Sequence, residues 1–101
     1  MDSRAAETLT DLARARDPEA VHADLMPLSV HREPAVRAAV ASRADCPAAA
    51  LIALGHDPSM DVLRALLANP RTPMSVVRRL ADHRDPRITE LAVQRLRNSF
   101  R

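Results

Sequence analysis

Between Asp57 and Asp82 the apolar residues fall into two stripes at helical spacing, divided by a proline-marked turn. Val62, Leu63, Leu66 and Leu67 form the first stripe; Met74, Val76, Val77 and Leu80 form the second. Arg78 and Arg79 lie off the second stripe. Asp57-Pro58 predicts a helix start, since Asp accepts an orphan N–H and a proline at the first helical position has no N–H to lose. Asn69-Pro70 predicts a stop, because the residue before a proline is pushed out of the α region, and Thr72-Pro73 predicts the next start. Each helix is about two to three turns long, too short to hold in isolation, so each requires neighbours.

The same alternation runs along the rest of the chain. Residues 3–16 predict a first helix capped by Ser3, with Ala6, Leu9, Leu12 and Ala13 inward. Asp17-Pro18 closes it and opens a second helix, residues 19–26, with Ala20, Val21 and Leu25 inward. Pro27 and Pro34 punctuate the following turn. A third helix, residues 35–42, buries Val36, Ala39 and Val40, and a fourth, after Pro47, buries Leu51 and Leu54. Gly55 stands where a helix end favours a left-handed residue. Asp85-Pro86 opens the last helix, with Ile88, Leu91, Ala92 and Leu96 inward and Phe100 either folding back as a cover or anchoring a partner.

These segments are copies of one another. HREPAVRAAVA from His31 matches HRDPRITELAV from His83 at an offset of 52. CPAAALIAL from Cys46 matches TPMSVVRRL from Thr72 at an offset of 26, setting Pro47 over Pro73, Leu51 over Val77 and Leu54 over Leu80. VRAAVA and LRALLA align best at 27, with Arg37 over Arg64. Repeats of this length imply stacked units sharing a continuous core, with atypical units at the ends. The expected organisation is one domain, 1–101: a degenerate N-terminal capping repeat (1–30), repeats at 31–56 and 57–82, and a C-terminal capping helix (83–101).

The motif VR-x-x-V-A, followed by a proline-started V-x-x-L-A with D-P between units, resembles the leucine-rich repeat variant family. Val36-Arg37, Val40-Ala41, Pro47, Leu51 and Leu54 carry it in one unit. Leu63-Arg64, Leu67-Ala68-Asn69-Pro70, Thr72-Pro73, Val77 and Leu80-Ala81 carry it in the next, over roughly residues 31–97 in all. The resemblance implies an all-α, HEAT-like fold: a short right-handed α-solenoid of about three to four two-helix repeats, some helices being 3₁₀. Acidic-Pro marks lie 24 residues apart from Glu33 to Asp57 and 28 apart from Asp57 to Asp85, which leaves the inner helices open to either the 3₁₀ or the α form.

Composition narrows the chemistry. One Gly, one Phe, no Trp and no Tyr leave a core of Ala, Val and Leu, built by close helix approach. A single Cys, Cys46, excludes an internal disulfide framework and a multi-thiolate cluster, and reads as a small apolar residue near a helix start, the alternative being a reactive low-pKa thiol. No apolar run approaches the ~20 residues of a membrane span, and the charged N-terminus is unlike a signal peptide, so a cytoplasmic protein with no membrane contact is expected. Of the histidines, His31, His56 and His83 stand near acids, the elements of a metal site and hence of a metal-dependent enzyme. Yet His31 and His83 share one position two repeats apart, roughly 20 Å at ~10 Å per packed helix, and cannot share an ion. With no Gly-rich loop or nucleophile setting, no catalytic residue, cofactor or metal is expected.

All fifteen cations are Arg, and they are unevenly spread. Residues 1–30 hold three Arg against six acids, residues 31–70 four of each, and residues 71–101 eight Arg against three acids. A one-ended basic field suits an acidic protein surface, nucleic acid, or the acidic end of a second copy. Arg64, Arg71, Arg78, Arg79, Arg84 and Arg87 are the candidate partner-binding residues, the last five near one rim. Without aromatic side chains to stack bases, single-stranded nucleic acid is disfavoured and duplex remains. The expected role is a non-enzymatic protein-binding scaffold, with duplex binding second.

Overall fold

Helices this short persist only by packing on one another, and the architecture follows from that need. The computed structural model describes residues 3–99, which form seven α-helices and, among the described residues, no strand. They are α1 (Ser3–Arg16), α2 (His22–Leu28), α3 (Pro34–Ala41), α4 (Ala48–Leu54), α5 (Met60–Ala68), α6 (Met74–Leu80) and α7 (Pro86–Ser99). No 3₁₀ helix occurs among the described residues. Phe100 lies outside them.

The odd-numbered helices pack side by side in a row, α1 on α3, α3 on α5 and α5 on α7. The even-numbered helices lie along its flank: α2 against α1 and α3, α4 against α3 and α5, α6 against α7. Four helices at ~8–10 Å spacing account for most of the long axis of a body measuring 45 × 26 × 17 Å. Between the layers sit Leu51, Leu54, Val62, Leu63, Leu66, Leu67, Val76, Val77 and Leu80, all buried as their stripes require. Val36, Val62 and Ile88 take the same fully buried place in α3, α5 and α7, and so do Val40, Leu66 and Ala92. Both series step by 26, so α3 and α5 follow the 26-residue period with no slip to 27.

The end helices differ from expectation. The inward line of α1 is Thr8, Asp11, Leu12 and Ala15, whereas Ala6, Leu9 and Ala13 are exposed. In α7, Leu91 is exposed while Ile88 and Ala92 are buried. Each end helix has a row neighbour on one side only, so an Ala/Leu-rich surface does not by itself say which side turns in. Helix starts also shift. α2 begins at His22, where the Asp24 carboxylate accepts the Val21 N–H (3.1 Å), and it runs through Pro27, leaving Val21 exposed. α5 begins at Met60, because the Asp57 carboxylate accepts the Ser59 N–H (2.9 Å) in a turn before the helix.

Proline still sets backbone where expected. Asn69, before Pro70, is extended at φ −82°, ψ 116°, and Pro47 and Pro73 enter α4 and α6 with matching angles (φ −57° and −58°, ψ 140° and 142°). Thr72 does not cap α6; its hydroxyl donates to the Leu66 carbonyl (2.7 Å) and ties off α5. Gly55 is right-handed, at φ −63°. What excludes a side chain there is space: a Cβ would sit 2.9 Å from Val76 Cγ1 and closer still to the Arg79 guanidinium.

Polar side chains lock the row together at the same period. The last carbonyls of a helix have no intrahelical partner. Arg43 Nη1 donates to the carbonyls of Ala15 (2.9 Å) and Asp17 (2.6 Å). Asn69 Nδ2 donates to those of Ala41 (2.8 Å) and Arg43 (2.9 Å). Arg95 Nη1 donates to those of Leu67 (2.7 Å) and Asn69 (2.9 Å). Residues 43, 69 and 95 are 26 apart, and each reaches back 28 and 26 residues, making three rungs of one ladder.

A second series is His31, Asp57 and His83, each accepting the N–H two residues on, at 3.0, 2.9 and 2.9 Å. His31 Nε2 also meets Asp11 (2.9 Å), while Asp57 takes two bonds from Arg37 (2.7 and 3.1 Å). The carboxylate stands on the earlier element in the first link and on the later one in the second. In the Arg37–Asp57 pair the side chains are only 14% and 7% exposed, so losing one partner would strand a buried charge, at about 3–5 kcal/mol.

Candidate partner-binding surface

The packing just described divides the candidate arginines among several places. Arg64 on α5 and Arg87 on α7 border one shallow hollow with Glu90, Leu91 and Gln94. Both have carboxylate neighbours: Arg64 meets Asp61 at 3.2 Å and Arg87 meets Asp85 at 3.0 Å. The hydrogen bonds from Arg87 hold the Asp85 carboxyl below the usual carboxylate range. Arg71 borders a different hollow, of about 670 Å³, with His22, Asp45, Cys46, Pro47, Leu51 and Pro70 among its walls. Arg78 and Arg79 stand exposed on α6, and Arg84 is exposed in the turn before α7. Arg79 lies against the His56 imidazole at the end of α4.

Much of the remaining basic charge is already committed. Arg37, Arg43 and Arg95 donate to groups inside the row. In the C-terminal segment this leaves Arg71, Arg78, Arg79, Arg84 and Arg97 exposed and without a carboxylate partner among the described residues, Arg79 lying against His56 instead.

The flank presents a pattern the stripes did not reveal. Met26, Ile52 and Arg78 occupy the same position in α2, α4 and α6, 26 residues apart, and all three point outward. Met26 is 42% exposed and Ile52 48%. One residue further on come Pro27, Ala53 and Arg79, also exposed. Val21 and Val30 at the two ends of α2 add 60% and 78% exposure. Among the described residues, four of the six large apolar side chains left exposed therefore belong to α2, α4 and their flanks. One contact and one shared hollow connect the helices of this face. Arg79 spans from α6 to His56, and the 670 Å³ hollow is bordered by the starts of α2 and α4 and the turn before α6. Such a surface is a place to seat apolar side chains, with cations at one end.

Cys46 is buried, and burial pushes its thiol up to about 11, with the Asp45 charge adding to the rise. Burial and the raised pKa both weigh against the reactive-thiol alternative, since attack requires the thiolate. Arg43, which donates to Asp45 at 2.8 and 2.9 Å, holds that carboxyl below its ordinary range. His31 and His83 are spent on backbone N–H groups in their own turns. Among the described residues no three His, Cys, Asp or Glu side chains are grouped to hold a metal ion. No helix is long and apolar enough to cross a membrane, among the same residues.

Comparison with known proteins adds one finding. The leucine rich repeat variant family model matches residues 34–59, from the first residue of α3 to the residue preceding α5. That family is a HEAT-like helical repeat family, and the matched span is one 26-residue period of this chain. No curated protein and no solved structure matches.

Proposed function

We propose that this chain is a non-enzymatic helical-repeat scaffold that binds another protein through its solenoid surface. The reading takes the row as a short right-handed superhelix: a capping repeat at 1–30, repeats at 31–56 and 57–82, and a capping helix at 83–101. One observation carries it: exposed Met26, Ile52 and Arg78 recur at a single repeat position that the core does not use. Apolar side chains left in water on one face mark interaction surfaces. The family match adds weight, since it is to a repeat scaffold with no catalytic role. A cytoplasmic location belongs to the same reading and suits a single, unpaired cysteine.

The test is capture of a partner from the native cell by the wild-type chain and by the Arg78→Glu/Arg79→Glu double variant. Both residues are exposed, so the variant should keep its helical signal and its melting temperature within a few degrees, while partner recovery is lost. Equal recovery by both proteins would remove α6 from the site.

Duplex nucleic acid is the second reading, carried by Arg71, Arg78 and Arg84 standing exposed without carboxylate partners among the described residues. It requires that log affinity for random duplex fall about 0.9 per phosphate contacted as log salt rises. Absence of duplex binding at low salt ends it. Self-association through the acidic N-terminal third and the basic C-terminal third would appear as salt-sensitive dimers in sedimentation.

A further inference from the structure

We infer that the face formed by α2, α4 and α6 docks one amphipathic helix of a partner protein, lying across the three helices. Its apolar residues, a heptad apart, cover Met26 and Ile52, and its carboxylates, one heptad further, meet Arg78. This rests on the protein-binding reading above and names the partner's chemistry.

Three observations fix the occupant. First, the face changes character along the row at one repeat position: Met26, then Ile52, then Arg78, with Pro27, Ala53 and Arg79 beside them. A ligand crossing the face therefore needs two apolar contacts followed by negative charge. Arg78 has no carboxylate partner among the described residues, although Asp82 lies one turn on, and is left free to accept one. Second, the spacing suits a helix. The row advances one packed odd-numbered helix per repeat, ~8–10 Å, and equivalent positions on the flank advance along it with that step. Seven residues of an α-helix rise about 10.5 Å, so one heptad of ligand spans one repeat. Third, the face offers no backbone for an extended chain to pair with. The carbonyls ending α2, α4 and α6 accept N–H groups from their own turns, and the exposed surface is helix side chain with no strand edge among the described residues. A helix brings its own hydrogen bonds, and lays its apolar side against such a surface.

The hollow beside Arg71 extends the face at the helix starts, and its walls of Pro47, Leu51 and Pro70 accept a further apolar side chain. By contrast the Arg64–Arg87 hollow carries carboxylates at its edge, Asp61 and Asp85 among them, and is the poorer match for an acidic ligand.

The test uses the full chain and a fluorescein-labelled, lactam-stapled helical peptide with leucines a heptad apart and two glutamates one heptad beyond. Fluorescence anisotropy should show binding that weakens about tenfold or more when the glutamates are replaced by lysine, or the leucines by glutamine. Met26→Glu/Ile52→Glu should abolish binding. Arg78→Glu should reverse the charge preference, taking the lysine-ended peptide over the glutamate-ended one. Circular dichroism on each variant confirms that the fold is retained. No binding of the glutamate-ended peptide, equal binding of the two charge forms, or binding untouched by Met26→Glu/Ile52→Glu would each overturn the inference.

Photo-crosslinking in native lysate separates this from the parent reading. Adducts from a photoreactive residue at position 52 but not at position 64 support the docking face. Adducts from position 64 alone would leave a protein-binding scaffold standing and remove this face. Adducts from neither would remove both.

Discussion

Replacing Asn69 with alanine removes one rung of the ladder that joins the row. The side chain is almost wholly buried, its amide donates to the carbonyls of Ala41 and Arg43, and its oxygen accepts the Arg71 N–H at 2.9 Å. Three hydrogen bonds at ~0.5–1.5 kcal/mol each, with two carbonyls at a helix end left short of a donor, come to about 3 kcal/mol. Against a total of ~5–15 kcal/mol for a domain of this size, that loss is a large share. At ~4–8 °C per kcal/mol it should lower the melting temperature by about 12–24 °C. Asn69→Asp keeps the shape but turns an oxygen toward two carbonyls, so it should be at least as damaging at neutral pH and recover partly when the carboxyl is protonated. With no Trp or Tyr in the chain, far-UV circular dichroism is the probe for both. An Asn69→Ala protein melting within about 3 °C of wild type would refute the idea that these rungs hold the repeats together.

Other perturbations read other parts of the same packing. Leu66→Asp places an unpaired charge in a fully buried site of α5 and should leave no cooperative thermal transition; a variant that still melts sharply would mean Leu66 faces water. Gly55→Ala would ordinarily favour a right-handed residue, but its Cβ meets Val76 and Arg79, so a loss of about 1–2 kcal/mol by urea titration is expected, and a gain would contradict that contact. Cys46 sets an alkaline limit. Its folded pKa of about 11 lies above the unfolded value near 9, so the unfolded state loses its proton first and stability falls as pH rises through this interval. The loss should reach about 2 kcal/mol at pH 11, and Cys46→Ala should remove it; since the chain has neither Lys nor Tyr, no other side chain titrates in that window.

The central helices were legible because they are enclosed. α5 and α6 have packed surface along one full stripe each, so the periodicity of Val62 to Leu67 and Val76 to Leu80 named their buried residues correctly. At the ends the same rule chose the wrong side of α1, where Asp11, held by His31, turns inward and Leu9 outward. Buried polar residues were the larger gap. Arg37, Arg43, Asn69 and Arg95 carry charges or amides that pattern reading assigns to the surface, yet each is consumed by carbonyls or carboxylates within the row. Their common signal was position, 43, 69 and 95 standing at the repeat period in three chemically unlike contexts. Matching residue types instead set Arg37 over Arg64, although the first is in a buried ion pair and the second is exposed. The docking face was hidden for the same reason, since Met26, Ile52 and Arg78 agree in place and not in type.

Electron–electron distance measurement tests the stacking claim most directly. Nitroxides on Met26→Cys and Arg78→Cys, in a Cys46→Ala background, mark equivalent positions two repeats apart on the flank. Two helix-to-helix steps predict one narrow distribution centred at about 20 Å. A broad distribution, or one centred at more than twice that distance, would contradict the repeat stack and the face built on it.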